Sequence, residues 1–234
     1  DNIITLGSGN DSYTNTGDSA ETIVATAGTN TIVTAAGIDT ITSGADADTI
    51  TGGADANILI LTTAALTGVG GVVDMDYITD FTTATWDIDL DIIGSGMSGT
   101  YTLLGAGGTD DAAADDTALV TATGPLDLGA TDTGNANVLI LNLTATISTA
   151  AELETALEFG GIAQLTADGV WAAGDRMVVV YDNGVNTWVA TVAAGNGALD
   201  DGYFGSGTMQ ATNLVQLTGV TTATLVAATD IDFI

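Results

Sequence analysis

The feature that most constrains this chain is a ladder of large apolar residues about nine positions apart: Ile4, Tyr13, Ile23, Ile32, Ile41, Ile50 and Leu59. Two positions before each rung stands a side chain with an oxygen ligand: Asn2, Asp11, Glu21, Asn30, Asp39, Asp48 and Asn57. Neither a helix nor a hairpin has that period. A coiling chain has it when each turn buries one rung and presents one ligand, and such turns bury their faces only by stacking on one another. The expected fold class is all-β. A parallel β-roll over residues 1–61 would continue into a β-sandwich-like C-terminal region over 62–234 with one short helix.

Composition indicates what the ligands are for. Thirty acidic residues face a single basic one, Arg176, for a formal charge of -29. Self-repulsion on that scale opposes compaction unless cations are bound. The same imbalance argues against a nucleic-acid partner and an anionic membrane surface, both of which are held by Lys and Arg. The chain has no Cys and no His. Thiolate nucleophiles, imidazole bases, the usual zinc sites and disulfides are therefore out of reach. Carboxylate, amide and carbonyl oxygens remain, and these suit hard cations, calcium better than magnesium in flexible loops. At 46% hydrophobic residues, disorder is not expected, and no apolar run reaches the length of a membrane span. No initiating Met or signal peptide opens the sequence. Asp1-Asn2-Ile3-Ile4 reads as the tail of a repeat, so a longer parent protein is expected.

The turns between rungs carry glycines. Gly7-Ser8-Gly9-Asn10-Asp11-Ser12-Tyr13 matches the pattern Gly-Gly-x-Gly-x-Asp-x-apolar-x from its second glycine on. Segment 17–23, Gly28-Thr29-Asn30-Thr31-Ile32 and Gly37-Ile38-Asp39-Thr40-Ile41 follow it, whereas 44–50 and 52–59 place Asp46 and Asp55 where the inner glycine belongs. This ladder resembles the RTX (repeats-in-toxin) nonapeptide. The resemblance implies calcium between turns, held by acids two repeats apart and by turn carbonyls. The implied pairs are Glu21 with Asp39, Asp39 with Asn57, Asn30 with Asp48, and Asp11 with Asn30. Only the first joins two carboxylates, so incomplete occupancy is expected. Thr residues flank many rungs, as in Thr40-Ile41-Thr42 and Thr49-Ile50-Thr51. β-Branched residues suit strands for their own sake, and an ice-binding Thr face is a minor alternative.

Beyond Leu61 the period lapses. Asp76-Tyr77-Ile78-Thr79-Asp80-Phe81, followed by Asp87-Ile88-Asp89-Leu90, is similar to the junction after the roll in RTX proteins and serralysin-type proteases. Trp86 departs from it, standing where the family usually has an acid. Asp87, Asp89 and Asp91 alternate with apolar residues, which places them on one strand face. They make either a cation site, together with Asp80, or a solvated outer face. Residues 94–135, with Asp110, Asp111, Asp115 and Asp116, read as loops around short strands. Asn137-Val138-Leu139-Ile140-Leu141 echoes Asn57-Ile58-Leu59-Ile60-Leu61. Thr149-Ala150-Ala151-Glu152 fits a helix capping box, with a stop at Gly160-Gly161. Two strands are expected across Asp182-Asn183-Gly184, since Asn-Gly accepts primed hairpin turns.

The ending, Leu217-Thr218-Gly219-Val220 and then Asp230-Ile231-Asp232-Phe233-Ile234, is similar to the uncleaved C-terminal signal of type I secretion substrates. That implies an ABC exporter as a partner, and a secreted protein at the bacterial surface or outside the cell. No residue pattern points to catalysis. The lack of Lys and Arg, with high Ala, Thr, Gly and Asp, resembles RTX-type S-layer proteins. The expected function is therefore a calcium-dependent structural region that self-associates into a lattice or filament. The alternative is the secretion and folding tail of an RTX hydrolase, toxin or adhesin. The candidate metal residues are Asp11, Glu21, Asn30, Asp39, Asp48 and Asn57, with Asp46, Asp55, Asp80, Asp87 and Asp89, and the cofactor is Ca2+.

Overall fold

Each rung lies in a short extended segment flanked by Thr, Ile or Val. Pleating sends the rung inward and its neighbours outward. The computed structural model describes residues 2–62, 74–90, 118–127, 136–143, 146–158, 160–166, 176–194, 199–200, 203–204, 207–227 and 230–233. The rungs fall on β1 (Asn2–Thr5), β2 (Ser12–Thr14), β3 (Glu21–Ala25), β4 (Thr31–Val33), β5 (Thr40–Ser43), β6 (Thr49–Thr51) and β7 (Asn57–Leu61). Odd-numbered strands lie in one sheet and even-numbered strands in another, so the chain coils. Successive strands within a sheet are parallel, in a register that stacks Ile23 on Ile41 and Ile32 on Ile50. Ile23, Ile32, Ile41, Ile50 and Leu59 are fully buried between the sheets.

The coil outlasts its sequence period. β8 (Asp76–Ile78) adds to β6, and β9 (Trp86–Leu90) adds to β7, both in parallel. The remaining strands are β10 (Ala118–Ala122), β11 (Leu126–Asp127), β12 (Ala136–Leu141), β13 (Leu165–Thr166), β14 (Arg176–Asp182), β15 (Thr187–Ala194), β16 (Leu199–Asp200), β17 (Tyr203–Phe204), β18 (Met209–Leu217) and β19 (Ile231–Phe233). Six of them, β10, β12, β14, β15, β18 and β19, extend the roll's own sheets. β19 closes a six-stranded parallel sheet, β1-β3-β5-β7-β9-β19, and β18 pairs with β8 to join the even strands to a nine-stranded sheet, β10-β12-β14-β15-β18-β8-β6-β4-β2. A third sheet runs β11-β13-β17-β16. Among the described residues the chain is thus all-β with extensive parallel pairing, one short α-helix and a single 3-10 turn at Ala223–Leu225. Asp91, and all of 94–135 apart from 118–127, fall outside the described residues.

Along β12, β14 and β15 the wide sheet is buried on both faces, which explains the near-continuous apolar runs in those strands. Val138, Ile140, Val178 and Val180 face the Ile core of the roll. Leu139, Leu141, Met177, Val179 and Tyr181 face a second core with the helix α1 (Ala150–Leu157). α1 starts with the expected capping box: Thr149 accepts the Glu152 N–H, and the Glu152 carboxylate accepts the Thr149 N–H at 3.1 Å. β14 and β15 pair antiparallel as expected, but Asp182 opposes Thr187, so the connection is four residues long. Asn183 Oδ1 accepts the Val185 and Asn186 N–H groups, and this side-chain turn replaces the two-residue primed turn.

The outer face of the six-stranded sheet is not a regular Thr array. By register its columns run Ile3, Thr22, Thr40, Ile58, Asp87 and Thr5, Val24, Thr42, Ile60, Asp89. Asp87 and Asp89 lie half-buried there beside Ile58 and Ile60.

Candidate metal centre

Because the strands alternate between sheets, the turns alternate between sides and form two stacks. Turns 6–11, 26–30 and 44–48 make the first stack, and turns 15–20, 34–39, 52–56 and 79–85 make the second. Within a stack, successive turns are in backbone contact, which requires glycine. A Cβ on Gly28 would stand 2.1 Å from the Gly9 carbonyl oxygen, and one on Gly53 would stand 1.8 Å from that of Ala35.

The ladder ligands form two columns with one bonding rule from the second coil on: Asn30, Asp48, Asp39 and Asn57 each accept, through a side-chain oxygen, the backbone N–H of the equivalent residue one coil earlier. In the first stack Asn30 Oδ1 accepts from Asp11 N at 3.0 Å and Asp48 Oδ1 accepts from Asn30 N at 2.7 Å. In the second, Asp39 Oδ1 accepts from Glu21 N at 2.8 Å and Asn57 Oδ1 accepts from Asp39 N at 3.1 Å. All four sequence-predicted pairs are therefore brought together. A further member, invisible to the nine-residue count, is Asp76, whose Oδ1 accepts from Asp48 N at 2.8 Å. It carries the same Asp-x-Ile signature as Asp48-Thr49-Ile50 but lies 28 residues on, behind an insertion. Trp86 pairs in register with Asn57 and so ends the second column with an indole, which donates to Asp80 Oδ1 at 3.2 Å.

The other predicted acids are engaged in turn closure. Asp46 Oδ2 accepts from Gly28 N at 2.9 Å, and Asp55 Oδ2 from Gly37 N at 3.1 Å. Asp80 accepts from Gly52 N at 3.2 Å and Gly53 N at 2.7 Å, and Asp11 Oδ2 from Gly7 N at 2.9 Å. Asp46 and Asp55 are exposed. Among the described residues no three carboxylates converge on one point.

Two ladder residues stand apart. Glu21 Oε2 and Asp39 Oδ2 are buried without a hydrogen-bond partner, in side chains only 2% and 0% exposed. An unpaired buried carboxylate oxygen costs several kcal/mol unless a cation or proton meets it. Burial, with the Glu21 charge adding to it, pushes the Asp39 carboxyl above its ordinary range. Burial and the charges of Glu21 and Asp39 likewise raise the nearby Tyr13 phenol. This donor set of two buried carboxylate oxygens fits a hard divalent ion. The family comparison agrees.

Residues 15–59 match the RTX calcium-binding nonapeptide repeat. The matching family description covers four copies and spans the coil from Asn15 to Leu59. These nonapeptides are calcium-binding motifs, typical of secreted proteins. Among solved structures, the solution structure of the AlgE6R3 subunit from the Azotobacter vinelandii mannuronan C5-epimerase is similar at 17% identity, with a TM-score of 0.40. That likeness covers 97% of this chain and 80% of the other. No curated protein matches the sequence. No helix among the described residues is long and apolar enough to cross a membrane.

In the first stack, Asp48 and Asp76 flank one hydroxyl: Ser43 Oγ lies 3.3 Å from Asp48 Oδ2 and 2.6 Å from Asp76 Oδ2. One hydroxyl proton cannot serve two buried anions. Burial pushes Asp76 up to about 8 and raises Asp48 as well. In the unfolded chain an Asp gives up its proton near 3.8, so between that pH and about 8 the folded state holds a proton that the unfolded state lacks. This contribution therefore weakens the fold as pH rises through that window. Asp76→Asn keeps an acceptor for Asp48 N–H and removes the acid. Without calcium it is expected to stabilise the chain by roughly 2–4 kcal/mol at pH 8, with the gain shrinking toward pH 4. Urea midpoints across pH check this, and a gain that does not vary with pH contradicts it.

Proposed function

We propose that the chain is the calcium-dependent structural region of a secreted, S-layer-type bacterial surface protein, folding outside the cell after type I export. Glu21 and Asp39 carry the reading: the fold buries two carboxylate oxygens that no protein group satisfies. In calcium-poor cytosol those anions and a charge of -29 oppose closure of the coil, leaving a chain that an ABC exporter can thread. Outside, calcium at roughly millimolar concentration fills sites of the modest affinity usual in extracellular modules, and binding energy becomes folding energy. Residues 1–61 are the cation-responsive part, and 62–234 supply the β scaffold and the secretion signal. The role is structural, not catalytic.

Self-association is supported by the charge of -29, since calcium can bridge acidic copies that would otherwise repel one another. A second reading, the folding tail of an RTX hydrolase, toxin or adhesin, draws support from β19, whose backbone pairs in parallel register with β9. That makes the C-terminal segment part of the roll's own sheet, as the serralysin-like junction would require. Sedimentation velocity and negative-stain microscopy of the chain with calcium or EGTA test the assembly reading. Sheets or filaments that form only with calcium are expected. A folded monomer in calcium contradicts assembly and leaves the tail reading.

A further inference from the structure

The two stacks of turns are chemically unequal, a difference that deepens the calcium reading and rests on it. In the second stack, Glu21 Oε2 and Asp39 Oδ2 are buried without hydrogen-bond partners, and of the nearby side-chain donors only the Thr34 hydroxyl acts on the Asp39 carboxyl, opposing its rise. The Thr34 hydroxyl donates to the Gly52 carbonyl at 2.8 Å, while Ser19 Oγ and Asn15 Nδ2 donate to the other Glu21 oxygen, Oε1. In the first stack the corresponding space is filled by protein. Asn30 Nδ2 donates to the Gly28 carbonyl at 2.8 Å and the Ala27 carbonyl at 3.4 Å. Both Asp48 oxygens are engaged, by Asn30 N at 2.7 Å and Ser43 Oγ at 3.3 Å. An amide N–H and a calcium ion compete for the same turn carbonyls.

We propose that calcium binding in this roll is confined to the second stack, at a site built on Glu21 and Asp39, and that the Asn30 amide closes the first stack without metal. The site does not propagate along its own stack. Asn57 supplies an amide in place of the next carboxylate, with Nδ2 on the Asp55 carbonyl at 3.4 Å, and Trp86 occupies the position after that. The chain has thus replaced a row of ions by hydrogen bonds everywhere except at Glu21 and Asp39; the other facing carboxylates, Asp48 and Asp76, are bridged by the Ser43 hydroxyl.

Isothermal titration calorimetry of the chelator-stripped chain with calcium chloride tests this. About one ion per chain is expected for the parent, in the affinity range of extracellular modules. Asp39→Asn, which imitates Asn30 by keeping the acceptor for Glu21 N–H, is expected to weaken binding at least tenfold. Asp48→Asn is expected to leave the isotherm unchanged, and Asn30→Asp to add a second ion. Binding lost with Asp48→Asn but kept with Asp39→Asn overturns the assignment, as does a parent that takes up two or more ions. A folded parent that binds no calcium overturns the functional reading along with it, so the two failures are distinguishable. Should Asp39→Asn not fold, terbium decides in its place. Tyr13 lies close enough to Glu21 and Asp39 to feel both charges, so its sensitised terbium emission should vanish in Tyr13→Phe while calorimetric binding persists. Emission undiminished in that variant overturns the proposal.

Discussion

Stripping calcium from the chain with EGTA is expected to lower its melting temperature by roughly 5–10 °C, the largest change that any solution condition should produce. A ligand at about a hundred times its dissociation constant stabilises the folded state by about 3 kcal/mol, and in a domain of this size each kcal/mol shifts the midpoint by roughly 2–4 °C. The physical source is local. On the proposed assignment calcium meets the two orphaned oxygens of Glu21 and Asp39, while the other ladder acids, Asp11 and Asp48, already accept protein hydrogen bonds. The long-range repulsion of a -29 chain adds to the effect, and sodium chloride separates the two contributions. Salt at about 0.15 M shortens the Debye length to about 8 Å and screens exposed charge, but it does not reach buried pairs. Salt alone should therefore recover only part of the loss, and calcium at about 2 mM all of it. Magnesium at the same concentration should recover little, since it demands tighter octahedral geometry and keeps its waters. Full recovery by sodium chloride would show that the repulsion is nonspecific.

Gly53→Ala is expected to be the most damaging single methyl in the roll. The added Cβ would lie 1.8 Å from the Ala35 carbonyl oxygen, and Gly53 sits at φ +76°. The collision strikes a junction of two hydrogen bonds. Ala54 N donates to that same Ala35 carbonyl at 2.7 Å, and Gly53 N donates to Asp80 Oδ2 at 2.7 Å. Backbone on both sides leaves nothing flexible to give way. The left-handed conformation costs about 1–2 kcal/mol and forced overpacking about 1–3 kcal/mol more, so a loss of about 3 kcal/mol or more is expected. Gly160→Ala is the control: it shares the left-handed conformation at φ +81° but has nothing within 4 Å of its Cβ. It should lose only about 1 kcal/mol. Guanidinium midpoints of the two variants decide the matter, and equal losses would mean that the turns do not stack in backbone contact.

The roll was legible because its information is local and periodic. An apolar residue two positions after an oxygen ligand, repeated every nine residues, dictates both coil and register, and Ile23, Ile32, Ile41, Ile50 and Leu59 are buried accordingly. The Thr149 capping box was legible for the same reason. Asp76 escaped because an insertion lengthens its coil, although Asp76-Tyr77-Ile78 keeps the spacing of ligand and rung. The merging of the roll with the C-terminal strands was not legible either. The pairings of β18 with β8 and β19 with β9 join residues far apart in sequence and leave no short-range pattern. At the site, nine-residue spacing identified Glu21 with Asp39 as its one pair of carboxylates and missed the second, Asp48 with Asp76. It did not show that Asp46, Asp55 and Asp80 have their carboxylates taken up by glycine N–H groups, because turn closure and metal binding favour the same acidic side chains.

Amide hydrogen exchange read by mass spectrometry over segments 21–61, with calcium and with EGTA, tests most directly whether calcium completes the fold of this coil. Strong protection of β3 to β7 in calcium, lost by at least a hundredfold in EGTA while β14 and β15 stay protected, is the predicted result; about 2.7 kcal/mol of linkage corresponds to that factor. Equal protection of β3 to β7 in both conditions would contradict it.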